Sequence, residues 1–575
     1  MPPHTNDRQV LLSGDEALAR GAWEQGVEFA ASYPGTPATE ILEYLSGFPE
    51  VDAQWSVNEK VAFEVALASS IAGRRSLFSA KHVGFNVAMD PLMTSAYTGV
   101  GAGFVVVSCD DPGMHSSQNE QDNRLLARIA KIPLLEPSTP AEAKDFMRHA
   151  FLISERFDTP VMARLTTRIA HSKQNMAVGK RTAALRKAFK NDTAKYVMVP
   201  RNAFKRHELL ERKLGRLQAF SERSVLNRVE LKNKKLGFLA SGAAYLYAKE
   251  MYPDASFLKL GFGYPFPAGI VREFASRVRE VVVIEELEPF WEEYLMMLGI
   301  KYRAKHPSWR VGELRPEYLP LILQGKERPS GVLPSRKPVM CPGCPHRLVF
   351  SVLKKLKLTV TGDIGCYTLG AAPPLSALHT CLCMGSGITF FEGFRRALGK
   401  SVVGVIGDST FVHTGVSGLI NLSYNRTKGL VIVLDNGTTA MTGNQPHPAT
   451  GKTAQNQATR KLVLEDLARS SGADNVDVVD PHRLKEMEAL VRARVEEDAL
   501  SVIIARSPCK LISSQRGRPP VYHKEKCKSC YVCLGIDCPA ITKDNEAGII
   551  INESICNGCN LCVEVCAFGA LTGHA

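Results

Sequence analysis

The sequence predicts a multidomain α/β protein that ends in a small cysteine-rich unit. Three observations carry this. Apolar runs at 104–107, 161–165, 237–240, 280–284, 401–406, 430–434 and 501–505 read as buried parallel strands separated by longer amphipathic stretches. Proline- and glycine-rich breaks near 328–345, and the basic stretch Gln515-Arg516-Gly517-Arg518-Pro519-Pro520, mark boundaries. Eight of the fifteen cysteines fall in the last fifty residues.

At 575 residues the chain is expected to hold about three to five domains. No run of 18 apolar residues is present to cross a membrane, and the polar stretch 1–9 lacks the apolar segment of a secretory signal. Cysteines at metal-ligand spacing argue for a reducing cytoplasm.

In chain order, the first candidate group is Glu59. It stands between Asn58, a helix-capping residue type, and the apolar helical stretch 61–71. Read from the residues alone, it is a first-turn acid favoured by the helix dipole. The net charge of +13 is concentrated at 173–235, with clusters at Lys180-Arg181, Arg186-Lys187, Lys205-Arg206 and Lys232-Lys234-Lys235. This segment reads as a solvated, partly helical linker; the other reading is a patch for an acidic partner. No nucleic-acid motif accompanies the charge, so no nucleic acid is expected.

The strand at 401–406 runs into Gly407-Asp408-Ser409, and the strand at 430–434 into Asp435-Asn436-Gly437-Thr438. The carboxyl ends of neighbouring parallel strands face one crevice, where a carboxylate and an amide oxygen can share a hard cation such as magnesium. Two ordinary turns at strand ends are the alternative.

The C-terminal cysteines form two runs, C-x2-C-x2-C-x4-C-P and C-x2-C-x2-C-x3-C. Each run offers three converging thiolates, and the distant fourth closes the other site. Cys527, Cys530, Cys533 and Cys566 are therefore assigned to one [4Fe–4S] cluster, and Cys556, Cys559, Cys562 and Cys538 to a second. Two zinc sites are the rival reading, although zinc favours paired C-x2-C knuckles over triplets. Ala567 stands where proline often follows the last cysteine.

Gly407-Asp408 and Asn436 resemble the thiamine diphosphate motif, with Ser409 in place of its usual third glycine. The resemblance implies that Gly407, Asp408, Ser409, Asn436 and Thr438 bind the cofactor. Asp408 and Asn436 would hold Mg2+ through side chains, and Thr438 through its backbone carbonyl. Joined to a two-cluster unit, this resembles the 2-oxoacid:ferredoxin oxidoreductases. Further pieces carry the likeness: Tyr33-Pro34-Gly35-Thr36-Pro37-Ala38-Thr39-Glu40, Asn58-Glu59-Lys60, Ser116-Ser117-Gln118-Asn119-Glu120-Gln121-Asp122, Cys341-Pro342-Gly343-Cys344-Pro345-His346, Gly362-Asp363-Ile364-Gly365-Cys366-Tyr367 and Met441-Thr442-Gly443-Asn444-Gln445.

The resemblance implies a fold of doubly wound thiamine-binding domains, a transketolase C-terminal-like domain and a bacterial two-cluster ferredoxin domain. The expected order is pyrimidine-binding (1–172), basic linker (173–235), transketolase C-terminal-like (236–330), diphosphate-binding (331–511) and ferredoxin-like (512–575). It implies oxidative decarboxylation of an aryl 2-oxoacid with coenzyme A, giving acyl-CoA, carbon dioxide and reduced external ferredoxin in anaerobic metabolism. Glu59 would exchange a proton with the cofactor's aminopyrimidine, and Thr36 would lie near the substrate carboxylate. A smaller beta subunit and an assembly with two copies of each chain are also implied.

By position in the larger family, Cys341, Cys344, Cys366 and Cys509 would hold a third, proximal cluster; buried or zinc-bound cysteines are the alternative. His346, His413, Cys381 and Cys383 carry no assigned role. Two other functions stay open: a non-oxidative thiamine-dependent decarboxylase, and an electron-transfer subunit with a vestigial thiamine site.

Overall fold

The computed structural model describes residues 9–183, 186–329, 338–513 and 516–574. The chain divides into two compact units, Met1–Gly331 and Val332–Ala575. The boundary expected at 330/331, Gln515 and residues 1–8 of the polar N-terminus lie outside the described residues.

In the first unit, a seven-stranded sheet runs in the order Phe262–Tyr264, Leu134–Leu135, Val161–Thr166, Phe104–Asp110, Ser76–Lys81, Phe29–Ser32, Asp52–Trp55. All neighbours are parallel except the edge strand Phe262–Tyr264. Phe104–Asp110 and Val161–Thr166 are buried at every position, which is why they read as uninterrupted apolar runs. Helices cover both faces. Leu18, Trp23, Met147 and Phe151 from Gly14–Glu24 and Pro140–Phe157 fill one core. Phe63, Phe85 and Leu92 from Glu59–Ile71, His82–Val87 and Met89–Thr98 fill the other. Helix starts follow the local sequence: Ser13 and Glu16 make a reciprocal capping box, and Thr139 caps a helix whose first residue is Pro140.

The same unit contains a four-stranded sheet in the order Glu280–Ile284, Asn233–Ala240, Ala255–Lys259, Arg228–Glu230, parallel except for the last pair. The segment 173–235, expected as a solvated linker, is more structured than its charge implies. Lys173–Ala177 pairs with Gln9–Ser13, and Arg228–Glu230 joins the four-stranded sheet. The 22-residue helix Pro200–Ser221 buries Leu210, Lys213 and Leu217. Its cations are put to use at Asp158: Lys195 Nζ donates to the carboxylate at 2.8 Å, Arg206 Nη2 at 3.3 Å, and Lys213 Nζ to the carbonyl at 2.5 Å.

A buried charge network ties the two sheets of this unit together. Arg124 donates from Nε to Asp122 at 2.9 Å, from Nη1 to Glu285 at 2.6 Å and from Nη2 to the Glu286 carbonyl at 2.8 Å. Arg164 binds Asp110 and Glu136, each at 2.7 Å. Burial opposes the Asp122 charge, yet the Arg124 and Arg164 guanidiniums hold its carboxyl down to about 2. Arg124→Leu would leave Glu285 without its bonded cation and Asp122 with Arg164 alone, a loss of about 3–5 kcal/mol. The unfolding midpoint of purified protein is expected to fall accordingly; an unchanged midpoint would show that the network contributes no net stability.

The second unit is built on a five-stranded, all-parallel sheet in the order Thr359–Thr361, Val402–Gly407, Gly429–Asp435, Leu500–Arg506, Asn475–Val479. Cores on its two faces centre on Phe350, Val405 and Ile432, and on Phe391, Ile406 and Val433. Gly407 pairs with Leu434, so Asp408 and Asp435 leave neighbouring strands at the same end. The C-terminal region holds two short antiparallel ribbons, Val521–Tyr522 with Leu571–Thr572 and Ile541–Asp544 with Gly548–Ile551. Leu348 of the larger domain joins its small core beside Ile536, Ile549 and Leu561.

Candidate active site

In the first unit the candidate residues gather at the carboxyl ends of the central strands. Glu59 opens its helix and is buried, whereas the cap itself is made by Asn58, whose Oδ1 accepts from Val61 N–H at 2.9 Å. A Cβ at Gly84 would come within 2.6 Å of Glu59 Oε1, so glycine lets the next helix approach without displacing the carboxyl group. The Thr36 loop follows the strand Phe29–Ser32 and is tied across the crevice by Ser116 Oγ, which donates to the Thr36 carbonyl at 3.1 Å. The Ser116–Asp122 motif folds back on Asp111: Ser117 Oγ and Ser116 N–H donate to its carboxylate at 2.6 and 2.9 Å. Burial opposes the Asp111 charge, but these bonds and one from Thr167 keep its carboxyl below the usual value.

In the second unit, Asp408, Asn436 and Thr438 meet at adjoining strand ends, all buried. Asp408 accepts from its neighbour Ser409 N–H at 2.7 Å and from Gly437 N–H at 2.9 Å; Asn436 Oδ1 accepts from Thr438 N–H at 3.1 Å. His447 Nε2 lies 3.3 Å from Asp408 Oδ2. Burial opposes the Asp408 charge, but His447 and these N–H groups hold its carboxyl low, while burial and the Asp408 charge push the neighbouring Asp435 up. The buried Asp408 carboxylate, crowded by Asp435, and the buried Asn436 amide offer hard-oxygen donors, so the residues fit magnesium. Gly407 and Ser409 are placed differently. A Cβ at Gly407 would meet the Tyr367 ring at 2.8 Å, and Ser409 Oγ accepts from Thr439 Oγ1 at 3.1 Å.

His346 stands beside Asn436, with Nε2 3.5 Å from the amide nitrogen, and burial pushes its imidazole down to about 4, so it is neutral at pH 7. His413 is buried near Asp363, whose carboxyl burial raises to about 6 although three backbone N–H groups bind it. Cys381 Sγ lies 3.5 Å from the Asp363 carbonyl, and Cys383 also senses the Asp363 charge. Asp363 and Asp435 lie within motifs of the sequence but carry no expected role there, and nothing in the local spacing marks His447.

Twelve of the fifteen thiols belong to the three expected sets. Cys538, Cys556, Cys559 and Cys562 line one cavity, and Cys527, Cys530, Cys533 and Cys566 line another. Four thiols around each space suit a cubane cluster. In the third group, burial pushes Cys344 up to about 12 and Cys366 up to about 11, and the charges of neighbouring cysteines add to it. The charge of Cys341 acts on Cys344, Cys366 and Cys509, so it lies near each of them. Cys509 N–H also donates to the Asn436 carbonyl at 2.9 Å, joining this group to the crevice.

Three family models match in the expected order. Residues 20–215 match the thiamine diphosphate-binding domain of pyruvate flavodoxin/ferredoxin oxidoreductase, 363–505 the C-terminal TPP-binding domain of thiamine pyrophosphate enzymes, and 549–572 a 4Fe-4S binding domain. Indolepyruvate oxidoreductase subunit IorA of Methanothermobacter thermautotrophicus is 40% identical over 98% of this chain and 97% of its own length. This chain belongs to the IorA family. The IorA of Archaeoglobus fulgidus is 36% identical over 97% of the chain and 96% of that relative. A 2-oxoglutarate synthase subunit KorA from the same organism is 26% identical over 55% of the chain and 99% of its own length. A solved 2-oxoglutarate:ferredoxin oxidoreductase from Magnetococcus marinus has a TM-score of 0.46 at 15% identity, covering 55% of this chain and 65% of that one. As an IorA-family chain, the protein is a thiamine-dependent 2-oxoacid:ferredoxin oxidoreductase subunit with a ferredoxin-type domain. No helix among the described residues is long and apolar enough to cross a membrane.

Proposed function

We propose that the protein oxidises an aryl 2-oxoacid of the indolepyruvate kind with coenzyme A, giving acyl-CoA, carbon dioxide and two electrons that pass singly to an external ferredoxin. Glu59 holds and moves a proton at N1′ of the pyrimidine, and Thr36 lies toward the substrate. Asp408 and Asn436 side chains with the Thr438 carbonyl hold Mg2+, and Gly407 and Ser409 line the diphosphate site. When bound, thiamine diphosphate supplies the nucleophilic carbon and carries the electrons freed as carbon dioxide leaves. A smaller beta subunit completes an assembly with two copies of each chain, working in an anaerobic cytoplasm.

The observation that supports the reading is the placement of three sets of cysteines within the second unit, one of them beside Asn436. Asn436 is hydrogen bonded to Cys509, whose thiol is near enough to Cys341 and Cys366 for their charges to interact. Pro342, inside that C-x2-C turn, lines the cavity of Cys538, Cys556, Cys559 and Cys562, and its carbonyl accepts from Asn557 Nδ2 at 2.8 Å. Arg347 locks the junction by donating to the Ile536 carbonyl at 3.0 Å. The exposed Cys530 belongs to the remaining group, which is therefore the exit. A non-oxidative decarboxylase has no use for such a relay, and an electron-transfer subunit none for Glu59 and Asp408 together.

Anaerobically purified, cofactor-loaded enzyme is expected to bleach when an arylpyruvate and coenzyme A are added. A colourless decarboxylating protein would support the non-oxidative reading, and a brown protein without thiamine the electron-transfer reading. Iron analysis tests the third cluster. Roughly twelve irons per chain, falling to about eight in Cys341→Ala/Cys344→Ala, is the expected result, since each cubane holds four; about eight in fully loaded wild type would remove the proximal cluster.

A further inference from the structure

Lys81 ends the strand Ser76–Lys81 at the centre of the first unit's crevice, between the strand leading to the Thr36 loop and the strand leading to Asp111. It is half-buried, and among the described residues its ammonium makes one hydrogen bond, to the Ser116 carbonyl at 2.5 Å. Two of its three donors are left over. The surroundings close on it from several elements. A Cβ at Gly35, next to Thr36, would lie 3.2 Å from Lys81 Cβ, and Ser116 itself binds the Thr36 carbonyl. Asp111 and Glu59 are near enough for their charges to act on the ammonium, yet neither pairs with it directly.

Lys81 is only half-buried, and among the described residues its remaining N–H donors meet no protein acceptor, which suits them to an incoming anion. Asp111 is already committed to Ser116, Ser117 and Thr167, and Glu59 acts on the lysine only through its charge.

We infer that Lys81 is the counter-charge for the carboxylate of the 2-oxoacid substrate, presenting its free N–H donors to that group beside Thr36. This rests on the proposed 2-oxoacid oxidation and adds to it the residue that recognises the group every such substrate shares. Aryl preference must then come from elsewhere, since a carboxylate contact is blind to the side chain. Burial lowers the ammonium to about 8 against the pull of Asp111 and Glu59, in keeping with a poorly solvated cation that gains from an incoming anion.

The test is steady-state kinetics of the assembled, cofactor-loaded enzyme with phenylpyruvate and coenzyme A under anaerobic conditions. K81Q keeps a donor for the Ser116 carbonyl but loses the charge. It is expected to raise KM for phenylpyruvate on the order of 10- to 100-fold, with KM for coenzyme A, thiamine content, iron content and unfolding midpoint held at wild-type values. K81R is expected to recover most of the loss, because a guanidinium also pairs with a carboxylate. An unchanged KM in K81Q overturns the assignment. So does a rise shared equally with coenzyme A, or a fall in unfolding midpoint in both variants with no recovery in K81R, either of which makes Lys81 a tie for the Ser116 loop. A wild-type enzyme that reduces no acceptor with any 2-oxoacid would instead overturn the proposed function; a competent wild type with an unaffected K81Q overturns Lys81 alone.

Discussion

Glu59→Gln is expected to slow arylpyruvate-driven reduction of the clusters by about 10²-fold or more while thiamine stays bound. Glutamine keeps the shape and some hydrogen bonding of the side chain but cannot exchange a proton with the pyrimidine N1′. The helix does not depend on the carboxyl group for its start, because Asn58 makes the capping bond to Val61. An acid placed only to favour the helix dipole would contribute about 0.3–1 kcal/mol and tolerate exposure. Glu59 is instead buried, with its carboxyl group packed against Gly84, where a methyl group would have to displace it. Stopped-flow bleaching of the anaerobic enzyme measures the effect, with thiamine content and unfolding midpoint as controls. Near-normal turnover would return Glu59 to a helix-start role.

Asp408→Ala is expected to weaken thiamine retention by roughly two orders of magnitude and leave the iron content unchanged. The variant loses the carboxylate that would face a divalent cation and strips the acceptor from Gly437 N–H and the partner from His447. Asp435 does not substitute, because Arg506 already holds it at 2.6 Å. Asp408→Asn separates the contributions by retaining an acceptor for Gly437 while removing the charge; it is expected to bind thiamine better than the alanine variant and to need more magnesium. Thiamine quantified after gel filtration at graded magnesium decides the matter, and full occupancy in Asp408→Ala would sink the ligand assignment.

How far such residues could be read from the chain depended on distance along it. The seven apolar runs all became sheet strands, at 104–110, 161–166, 233–240, 280–284, 402–407, 429–435 and 500–506, because strands buried on both faces leave a continuous apolar signature. Within 358–364, which the seven runs do not include, only Thr359–Thr361 pairs, since Asp363 turns back to collect the Ile364, Gly385 and Gly387 N–H groups. The basic segment 173–235 was legible as charge and not as architecture: Lys195, Arg206 and Lys213 converge on Asp158 only once the long helix is docked.

The sequence by itself determined which thiols share a cavity, because triplets two residues apart are brought together by tight local turns whatever surrounds them, and only the exchanged fourth ligand is distant. It also determined that Asp408 and Asn436 end buried strands. The tertiary structure decided what those groups face. His447 beside Asp408, Cys509 bonded to Asn436, and Lys81 between Thr36 and Asp111 come from segments tens of residues apart, joined only when parallel strands align their carboxyl ends. Strand pairing across long crossovers carries no local spacing to read; its partners are selected by register and burial, which exist only in the folded chain.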